Sequence, residues 1–226
     1  MIITIDGPVA SGKSTIARRL AKKLKMYYLG TGSLYRGLAY VLIHHASYLE
    51  EDLENPKPED LKTYLDPKRF VYVYDHEHGE KITFDGQDIT PFLKKGASMD
   101  KAASVLSAKK VVREALLELQ RFYGKNYDLV VEGRDVGSVV FPDADYRFFL
   151  TASLQIRAQR WQSDQQKKGV EVAIEDAMKI VSARDKRDQE RKVAPLIKPS
   201  GATLIDNSDL DLEETLKEFM RFIWPS

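Results

Sequence analysis

The sequence contains no cysteine among its 226 residues. Disulfide bonds, thiolate nucleophiles and zinc sites with sulfur ligands are therefore excluded, and a reducing cytoplasmic location is the expectation. The chain also lacks any apolar run approaching the ~20 residues of a membrane-spanning helix, and residues 1–7 do not have the features of a signal peptide. We accordingly expect a protein that is neither exported nor bound to a membrane.

An excess of charge of either sign is also missing, since 35 lysines and arginines face 34 acidic residues. A near-neutral chain gives no support for non-specific binding of nucleic acid or of anionic membranes. We therefore expect neither as a partner. With a hydrophobic composition of 43%, the chain can form one substantial core and a smaller inserted region.

Short apolar runs alternate with helical patterns along much of the chain. A β-branched run at residues 2–5 precedes a glycine-containing loop and a helical pattern, and similar brief runs recur at residues 129–131, 148–150 and 204–205. Such alternation is typical of an α/β fold, in which helices cover both faces of a parallel sheet. A last helix is predicted to begin at Asp211, because Glu214 follows it at capping-box spacing.

The segment between these runs has a different pattern. Structure-breaking prolines occur at residues 56 and 58, and two strand-like runs at residues 70–74 and 81–84 flank a charged turn that ends in glycine. This arrangement predicts a β-hairpin. We interpret residues 31–112 as a substrate-side insert and residues 1–30 and 113–226 as the core domain.

The clearest motif is a glycine-rich loop that fits the pattern G-x4-G-K-[ST] between a predicted strand and a predicted helix. Its backbone N–H groups would face the β- and γ-phosphates of a nucleotide, next to the positive end of the helix. Lys13 would reach the phosphate oxygens and Ser14 would contact Mg²⁺. The predicted ATP-binding residues are Gly7, Pro8, Val9, Ala10, Ser11, Gly12, Lys13, Ser14 and Thr15. GTPases, transport ATPases and helicases share this loop, so it does not by itself indicate a kinase.

Arginines follow several predicted elements. Arg134 comes directly after a strand that ends at Glu132, and ligands of α/β sheets bind at the carboxyl ends of parallel strands. There it would offer a fixed cation to a second phosphate. Arg36 stands at the opening of a predicted helix.

A further arginine stripe has two interpretations. Arg184, Arg187, Asp188 and Arg191 have spacings that predict one shared helical face, which is either part of the site or a solvated face of ion pairs. The same two interpretations apply to Arg157 and Arg160, on the helix predicted after residue 153.

These motifs together resemble bacterial cytidylate kinases, members of the P-loop nucleoside monophosphate kinase family. The matching segments are the phosphate loop, residues 30–36, Ala103-Ser104 with Arg113, residues 132–142, and residues 183–196. They occur in the family's order over nearly the whole chain. The Gly-Arg-Asp segment at residues 133–135 is the most family-specific of them.

The resemblance implies a P-loop kinase fold with a monophosphate-binding insert that contains a small antiparallel sheet, and a helical lid at about residues 152–192. It implies ATP and Mg²⁺ as cofactors, CMP or dCMP as acceptor, and a monomer. It assigns catalytic roles to Lys13, Arg134, Arg157, Arg160 and Arg191. It places Thr31, Arg36, Ser104, Arg113, Arg134, Asp135, Arg184, Asp188 and Arg191 around the acceptor: Arg36, Arg134 and Arg191 at the phosphate, Ser104, Arg113 and Asp135 at the cytosine, and Arg184 and Asp188 at the ribose.

The chain departs from the family pattern at three places. Gly30 stands where aspartate is usual, Ser33 replaces a common alanine, and Leu93-Lys94 lies where an isoleucine-arginine pair is frequent. None of these touches the phosphate loop or the Gly-Arg-Asp segment. They therefore bear on the details of acceptor binding rather than on the type of reaction.

The expected reaction is the ATP-dependent phosphorylation of CMP, and of dCMP, to the diphosphate. An acceptor phosphate is already an anion near neutral pH and needs no general base. Two alternatives remain. A P-loop kinase of a hydroxyl metabolite such as shikimate or gluconate would need a carboxylate base, for which Asp6 or Asp135 could serve. A nucleotide-dependent switch or assembly ATPase would turn over slowly without any acceptor.

Overall fold

The computed structural model describes residues 1–93 and 97–224, which leaves Lys94 of the Leu93-Lys94 departure outside the described residues. Its strands are β1 (Ile2–Asp6), β2 (Tyr27–Gly30), β3 (Phe70–Asp75), β4 (Gly79–Phe84), β5 (Gln87–Asp88), β6 (Leu129–Gly133), β7 (Tyr146–Thr151) and β8 (Thr203–Asp206). Its helices are α1 (Lys13–Leu24), α2 (Thr31–His45), α3 (Pro58–Tyr64), α4 (Thr90–Leu93), α5 (Ala97–Ser107), α6 (Lys110–Asn126), α7 (Leu154–Gln166), α8 (Ile174–Glu190) and α9 (Leu212–Ile223). Short helical turns occur at Asp52–Glu54 and Val136–Val140.

The chain divides into two compact units. The first contains Met1–Leu24 and Val130–Ser226, and the second contains Lys25–Leu129. The predicted boundaries of the insert, at residues 31 and 112, both lie inside the second unit. The division into a core and a monophosphate-binding insert stays a prediction.

The first unit carries four strands of a five-stranded parallel sheet, in the order β6-β1-β7-β8, and the sheet's remaining strand, β2, belongs to the second unit. Strands β1 and β7 pair in parallel, with Ile3 opposite Tyr146, and β7 pairs in parallel with β8. The predicted α/β class and the predicted strands of this sheet are confirmed.

Apolar residues on both faces of the sheet explain these strands. Every residue of β6 is buried, and Ile3 and Ile5 of β1 are fully buried. Helix α9 covers β7, where the rings of Phe148 and Phe219 lie 4.5 Å apart. The predicted start of α9 is also confirmed, since the Asp211 carboxylate accepts the N–H of Glu214 at 2.8 Å and the Glu214 carboxylate accepts the N–H of Asp211 at 2.8 Å.

The second unit contains the predicted hairpin. Strands β3 and β4 pair antiparallel from Phe70 opposite Phe84 to Asp75 opposite Gly79, and β5 adds a third strand. One face of this sheet packs on α2 so closely that a Cβ at Gly37 would lie 2.8 Å from the ring of Phe70. Glycine at this position therefore permits the contact.

Two helix boundaries differ from the sequence-based expectation. Helix α2 begins at Thr31, so Arg36 lies within the helix rather than at its opening. Helix α8 ends at Glu190, and Arg191 has an extended backbone at φ −63° and ψ 138°. Arg191 is therefore the C-cap residue rather than part of the helix, but its φ is still helical and its guanidinium lies 3.9 Å from the carboxylate of Asp188, as expected for residues on one face. The Arg191 Nε donates to the carbonyl of Ala194 at 2.6 Å, which holds the chain as it leaves the helix.

Helices α7 and α8 both fall within the predicted lid at residues 152–192. Across the two described stretches of the chain, no helix combines the length and the apolar character that a membrane crossing requires.

Candidate active site

The glycine-rich loop connects the end of β1 to the start of α1 in the first unit. Gly7 has φ +153°, and a Cβ there would lie 2.0 Å from the carbonyl oxygen of Leu150, so only glycine fits. Gly12 has φ +91°, which favours glycine by conformation. Ala10 also has a left-handed backbone, with φ +57°, which is uncommon for a residue with a side chain. Strain of this kind is typical of a loop shaped to hold a ligand.

Lys13 is the first residue of α1 and folds back over this loop. Its Nζ donates to the carbonyl of Pro8 at 2.6 Å and to the Ser11 hydroxyl at 3.3 Å, and only 4% of the residue is exposed. Burial and then the positive charge of Arg134 hold the pKa of Lys13 well below its ordinary value, against the opposing effect of Glu132. An anionic ligand in the loop would relieve both effects.

Ser14 places an oxygen pair beside the loop. Its hydroxyl donates to the Glu132 carboxylate at 2.8 Å, and Glu132 lies near the end of β6. A hydroxyl and one carboxylate suit Mg²⁺, which usually keeps several waters and takes its other ligands from phosphates. No cluster of three or more His, Cys, Asp or Glu side chains suited to a metal occurs among residues 1–93 and 97–224. Sequence reasoning noted the acidic end of β6 but gave Glu132 no role.

An ion pair holds the loop from one side. The Asp185 carboxylate of α8 accepts the N–H of Val9 at 2.9 Å and also accepts from the Arg157 guanidinium. Arg157, on α7, donates to the carbonyls of Val9 at 3.2 Å and Ala152 at 2.9 Å. Both charged residues are buried. The predicted residue Arg157 therefore contacts the loop itself, and Asp185 is a functional residue that sequence reasoning missed.

A second pair contacts the loop at Ser11. Arg160 of α7 donates to the carbonyl of Ser11 at 3.3 Å and to the Asn207 side chain at 3.0 Å. Asn207, which follows β8 and is 4% exposed, donates to the same Ser11 carbonyl at 3.2 Å. Asn207 was also missed, because it lies 196 residues from Ser11 and belongs to no recognisable motif. Helix α7 and the end of β8 together fix the shape of the loop.

Four predicted acceptor residues come together in a cluster of alternating charge. Asp188 accepts from the Nε of Arg134 at 2.9 Å and lies 3.9 Å from a guanidinium nitrogen of Arg191. Asp135 lies 3.6 Å from another nitrogen of Arg191, whose side chain is 7% exposed. The charge of Arg134 lowers the pKa of Lys13 in the loop, and the charge of Asp188 raises it. Arg184 lies one turn before Asp188 on α8 and is half-buried.

Asp6 anchors the segment that follows this cluster. Its two carboxylate oxygens accept the N–H groups of Val136 and Gly137, each at 2.8 Å. Burial raises the pKa of Asp6 to about 7, although the two N–H donors oppose the shift. A Cβ at Gly137 would lie 2.7 Å from the Thr4 hydroxyl oxygen, so this turn fits only glycine there.

The remaining predicted residues belong to the second unit. Arg36 of α2 lies 3.5 Å from the Asp100 carboxylate and donates to the Ser33 hydroxyl at 3.1 Å. Arg113 of α6 donates to the carbonyl of Ser107 at 2.9 Å, and the Ser107 hydroxyl donates to the carbonyl of Ser104 at 2.9 Å. Helix α5 thus links the three predicted residues Arg36, Ser104 and Arg113, and Thr31 starts the helix that carries Arg36.

The parallel sheet and the backbone geometry of this loop define a nucleotide-binding protein of the phosphate-loop class. The family model described as Cytidylate kinase matches residues 3–224, and the chain belongs to this family. A curated cytidylate kinase of Caldanaerobacter subterraneus subsp. tengcongensis is 38% identical over 218 residues, which cover 95% of this chain and 91% of the relative.

One of the similar solved structures supports the fold. A structure described as an uncharacterized protein from Eubacterium ventriosum is 13% identical, with a TM-score of 0.53 and coverage of 99% of this chain and 97% of its own. A shikimate kinase from Bacteroides thetaiotaomicron is 12% identical, with a TM-score of 0.48 and coverage of 99% of this chain and 98% of its own. A likeness at that score adds nothing to the assignment of function.

Proposed function

We propose that this protein transfers the terminal phosphoryl group of ATP to CMP, and to dCMP, with release of ADP. The observation that carries the proposal is the pair of arginines, Arg134 and Arg191, that lie 2.9 and 3.9 Å from Asp188 in the same unit as the phosphate loop. A switch ATPase binds one nucleotide, whereas this arrangement supplies fixed cations for a second phosphate. Membership of the cytidylate kinase family supports the same conclusion.

The loop and Lys13 bind the donor. Backbone N–H groups at the start of α1 and the Lys13 ammonium face the β- and γ-phosphates. Ser14 and Glu132 would hold Mg²⁺, which would supply neutralisation of charge on the phosphate oxygens. Arg157 and Arg160 keep the loop in shape through the carbonyls of Val9 and Ser11, which supports a role close to the transferring group.

The acceptor's own phosphate is the nucleophile. Its second pKa is about 6, so it is already anionic near neutral pH and needs no general base. Arg36, Arg134 and Arg191 hold it and lower its repulsion from the donor. Catalysis then consists of positioning and of charge stabilisation by groups that are fixed before the substrates bind.

The nucleoside is read by polar and charged side chains. Asp135 accepts the amino group of cytosine, the donor that distinguishes cytosine from uracil. Ser104 and Arg113 bind the rest of the base edge, and Arg184 with Asp188 binds the ribose. Support comes from the fixed position of Arg113 on the Ser107 carbonyl and from the burial of Asp135.

The two carboxylates considered as a base for a metabolite hydroxyl both have structural contacts. Both oxygens of Asp6 accept backbone N–H groups, and Asp135 lies 3.6 Å from a guanidinium nitrogen of Arg191. These contacts favour structural roles for the two carboxylates, and the fixed arginines favour a phosphate acceptor.

Release of ADP from ATP and Mg²⁺ tests the proposal. The assay compares no acceptor with CMP, dCMP, UMP, AMP, shikimate and gluconate. We expect strong dependence on CMP and dCMP. Equal ADP release without acceptor would indicate a switch ATPase, and dependence on shikimate or gluconate would indicate the hydroxyl kinase.

The variant Asp135→Asn tests the acceptor side. Loss of a charged hydrogen bond to cytosine should raise the KM for CMP by about 10- to 100-fold while the KM for ATP stays within about twofold. Asp143→Asn changes an exposed aspartate and serves as the matched control. Equal losses for the two substrates would contradict the proposed role of Asp135.

A further inference from the structure

A carboxylate lies on the apolar face of the antiparallel sheet in the second unit. Buried residues of β4 alternate with half-buried or exposed ones, and Glu80 shares the buried face with Ile82 and Phe84. Only 8% of Glu80 is exposed. Burial of a carboxylate is costly unless polar groups compensate for the lost water, so its surroundings indicate what it does.

The Tyr72 hydroxyl lies next to the Glu80 carboxylate, which faces Gly30. The Tyr72 hydroxyl lies 3.5 Å from Glu80 Oε2, donates to the carbonyl of Tyr28 at 3.0 Å and accepts the N–H of Gly30 at 3.3 Å. A Cβ at Gly30 would lie 2.5 Å from the Tyr28 hydroxyl oxygen and 3.1 Å from Glu80 Oε2. The carboxylate and the hydroxyl therefore occupy the space into which a side chain of residue 30 would extend.

Gly30 is the N-cap residue of α2. The cap has no side-chain hydrogen bond, and the first turn of α2 contains no acidic residue. The first N–H groups of a helix have no acceptor within it, and they carry partial positive charge that a carboxylate stabilises. The carboxylate that lies next to residue 30 belongs to another element. It is Glu80 of strand β4, whose Oε2 would be 3.1 Å from a Cβ at residue 30.

We propose that Glu80 supplies the capping carboxylate of α2 in place of residue 30 and thereby positions the acceptor residues Thr31 and Arg36. The Tyr72 hydroxyl lies 3.5 Å from its Oε2 and helps to hold it in place. The consequence for CMP rests on the proposed function, whereas the capping of α2 does not. Glu80 is a positioning residue, because it acts through the start of α2.

Amide hydrogen exchange tests the capping directly. The variant Glu80→Gln keeps the shape and removes the charge, so exchange of the amides at residues 31–34 should become about fivefold faster, the effect expected for a weakened cap. Glu77→Gln changes an exposed glutamate of the adjoining turn and is the matched control. Unchanged exchange in Glu80→Gln would overturn the proposal, whether or not the protein uses CMP.

Steady-state kinetics tests the positioning. In Glu80→Gln the KM for CMP should rise about five- to tenfold while the KM for ATP stays within about twofold. A merely structural role would change both constants together, and that result would overturn the positioning role. Absence of CMP-dependent activity in the unaltered protein would instead refute the proposed function and leave the exchange result to decide the capping.

A rescue variant completes the test. Tyr28→Phe with Glu80→Ala removes the two oxygens that crowd residue 30 and leaves the ring Cζ of residue 28 about 3.1 Å from a Cβ there. The addition of Gly30→Asp to this double variant restores a carboxylate from the N-cap itself. The triple variant should recover the slow exchange of residues 31–34 and the low KM for CMP to within about threefold of the unaltered protein. A triple variant no better than the double variant would show that a carboxylate at this position is not what α2 requires.

Discussion

The buried ion pair between Arg157 and Asp185 contacts the phosphate loop, and we predict that loss of its negative charge lowers the stability of the protein. In the unaltered protein Asp185 accepts the N–H of Val9 at 2.9 Å. Asp185→Asn keeps the shape of the side chain and an oxygen that can accept the same N–H. It removes the negative charge that faces the Arg157 guanidinium. The variant thus leaves a buried cation without its counterion and changes little else.

The size of the effect follows from the burial of the pair. The side chains of Arg157 and Asp185 are 10% and 11% exposed, so water compensates little for the lost charge. Removal of one partner from a buried pair costs about 3–5 kcal/mol, and the remaining bonds of Arg157 to two carbonyls place this case near about 3 kcal/mol. For a protein of this size that corresponds to a fall in Tm of about 6–12 °C.

Thermal unfolding followed by circular dichroism measures the change, and the KM for ATP reports on the loop. The matched control is Asp176→Asn on the same helix, since Asp176 pairs with Lys179 at 3.0 Å but their side chains are 60% and 78% exposed. An exposed pair contributes at most about 1 kcal/mol, so the control should change Tm by no more than about 4 °C. Equal shifts in the two variants, or an unchanged Tm in Asp185→Asn, would refute the reasoning.

Three further substitutions test other contacts of the first unit. Lys13→Ala should lower kcat by about 10³-fold, because a cation at the transferring group is lost, while its circular dichroism spectrum stays that of the unaltered protein. The control Lys22→Ala changes an exposed lysine and should leave both the activity and the spectrum unchanged. The pKa of Asp6 is about 7 in the folded protein against an ordinary value of 3.8, so between these two pH values the folded state binds more protons than the unfolded state. The free energy of unfolding of the unaltered protein, measured relative to Asp6→Asn, should therefore fall by up to about 1.4 kcal/mol per pH unit as the pH rises through this range. It should become constant above the folded pKa, and urea titrations at several pH values measure it. Asp211→Ala removes the capping box of α9 and should cost about 1 kcal/mol in the same titrations, with exposed Asp209→Ala as control.

Local patterns were enough to predict most of the fold. The capping box at Asp211 and Glu214 depends on residues three apart, and the hairpin depends on alternation and on a turn between adjacent strands. Both are visible in short windows of sequence. Helix ends were predicted less well, as at Arg191, because the side-chain contacts that end α8 are not part of any periodic pattern.

Contacts between distant segments could not be predicted from the sequence. Asp185 and Asn207 contact the phosphate loop across 176 and 196 residues, and their neighbours in sequence show no motif that pairs them with it. The departure at Gly30 was visible, but its structural counterpart Glu80 was not. Glu80 looks like an ordinary charged strand residue until the pairing of β3 with β4 turns it toward the buried face.

The charged groups of the first unit share one physical property that bears on catalysis. Arg134 and Arg191 are matched by Asp188 and Asp135, so the cluster is near neutral before any ligand binds and its cations can be held at fixed positions. Fixed cations stabilise the charge that develops in phosphoryl transfer without reorganisation at the moment of reaction, which is the largest contribution that a protein makes to such chemistry. The carboxylates are therefore as necessary to the proposed site as the arginines. Removal of Asp188 should impair the reaction through disorder of Arg134 and Arg191, and binding of inorganic phosphate should weaken with it.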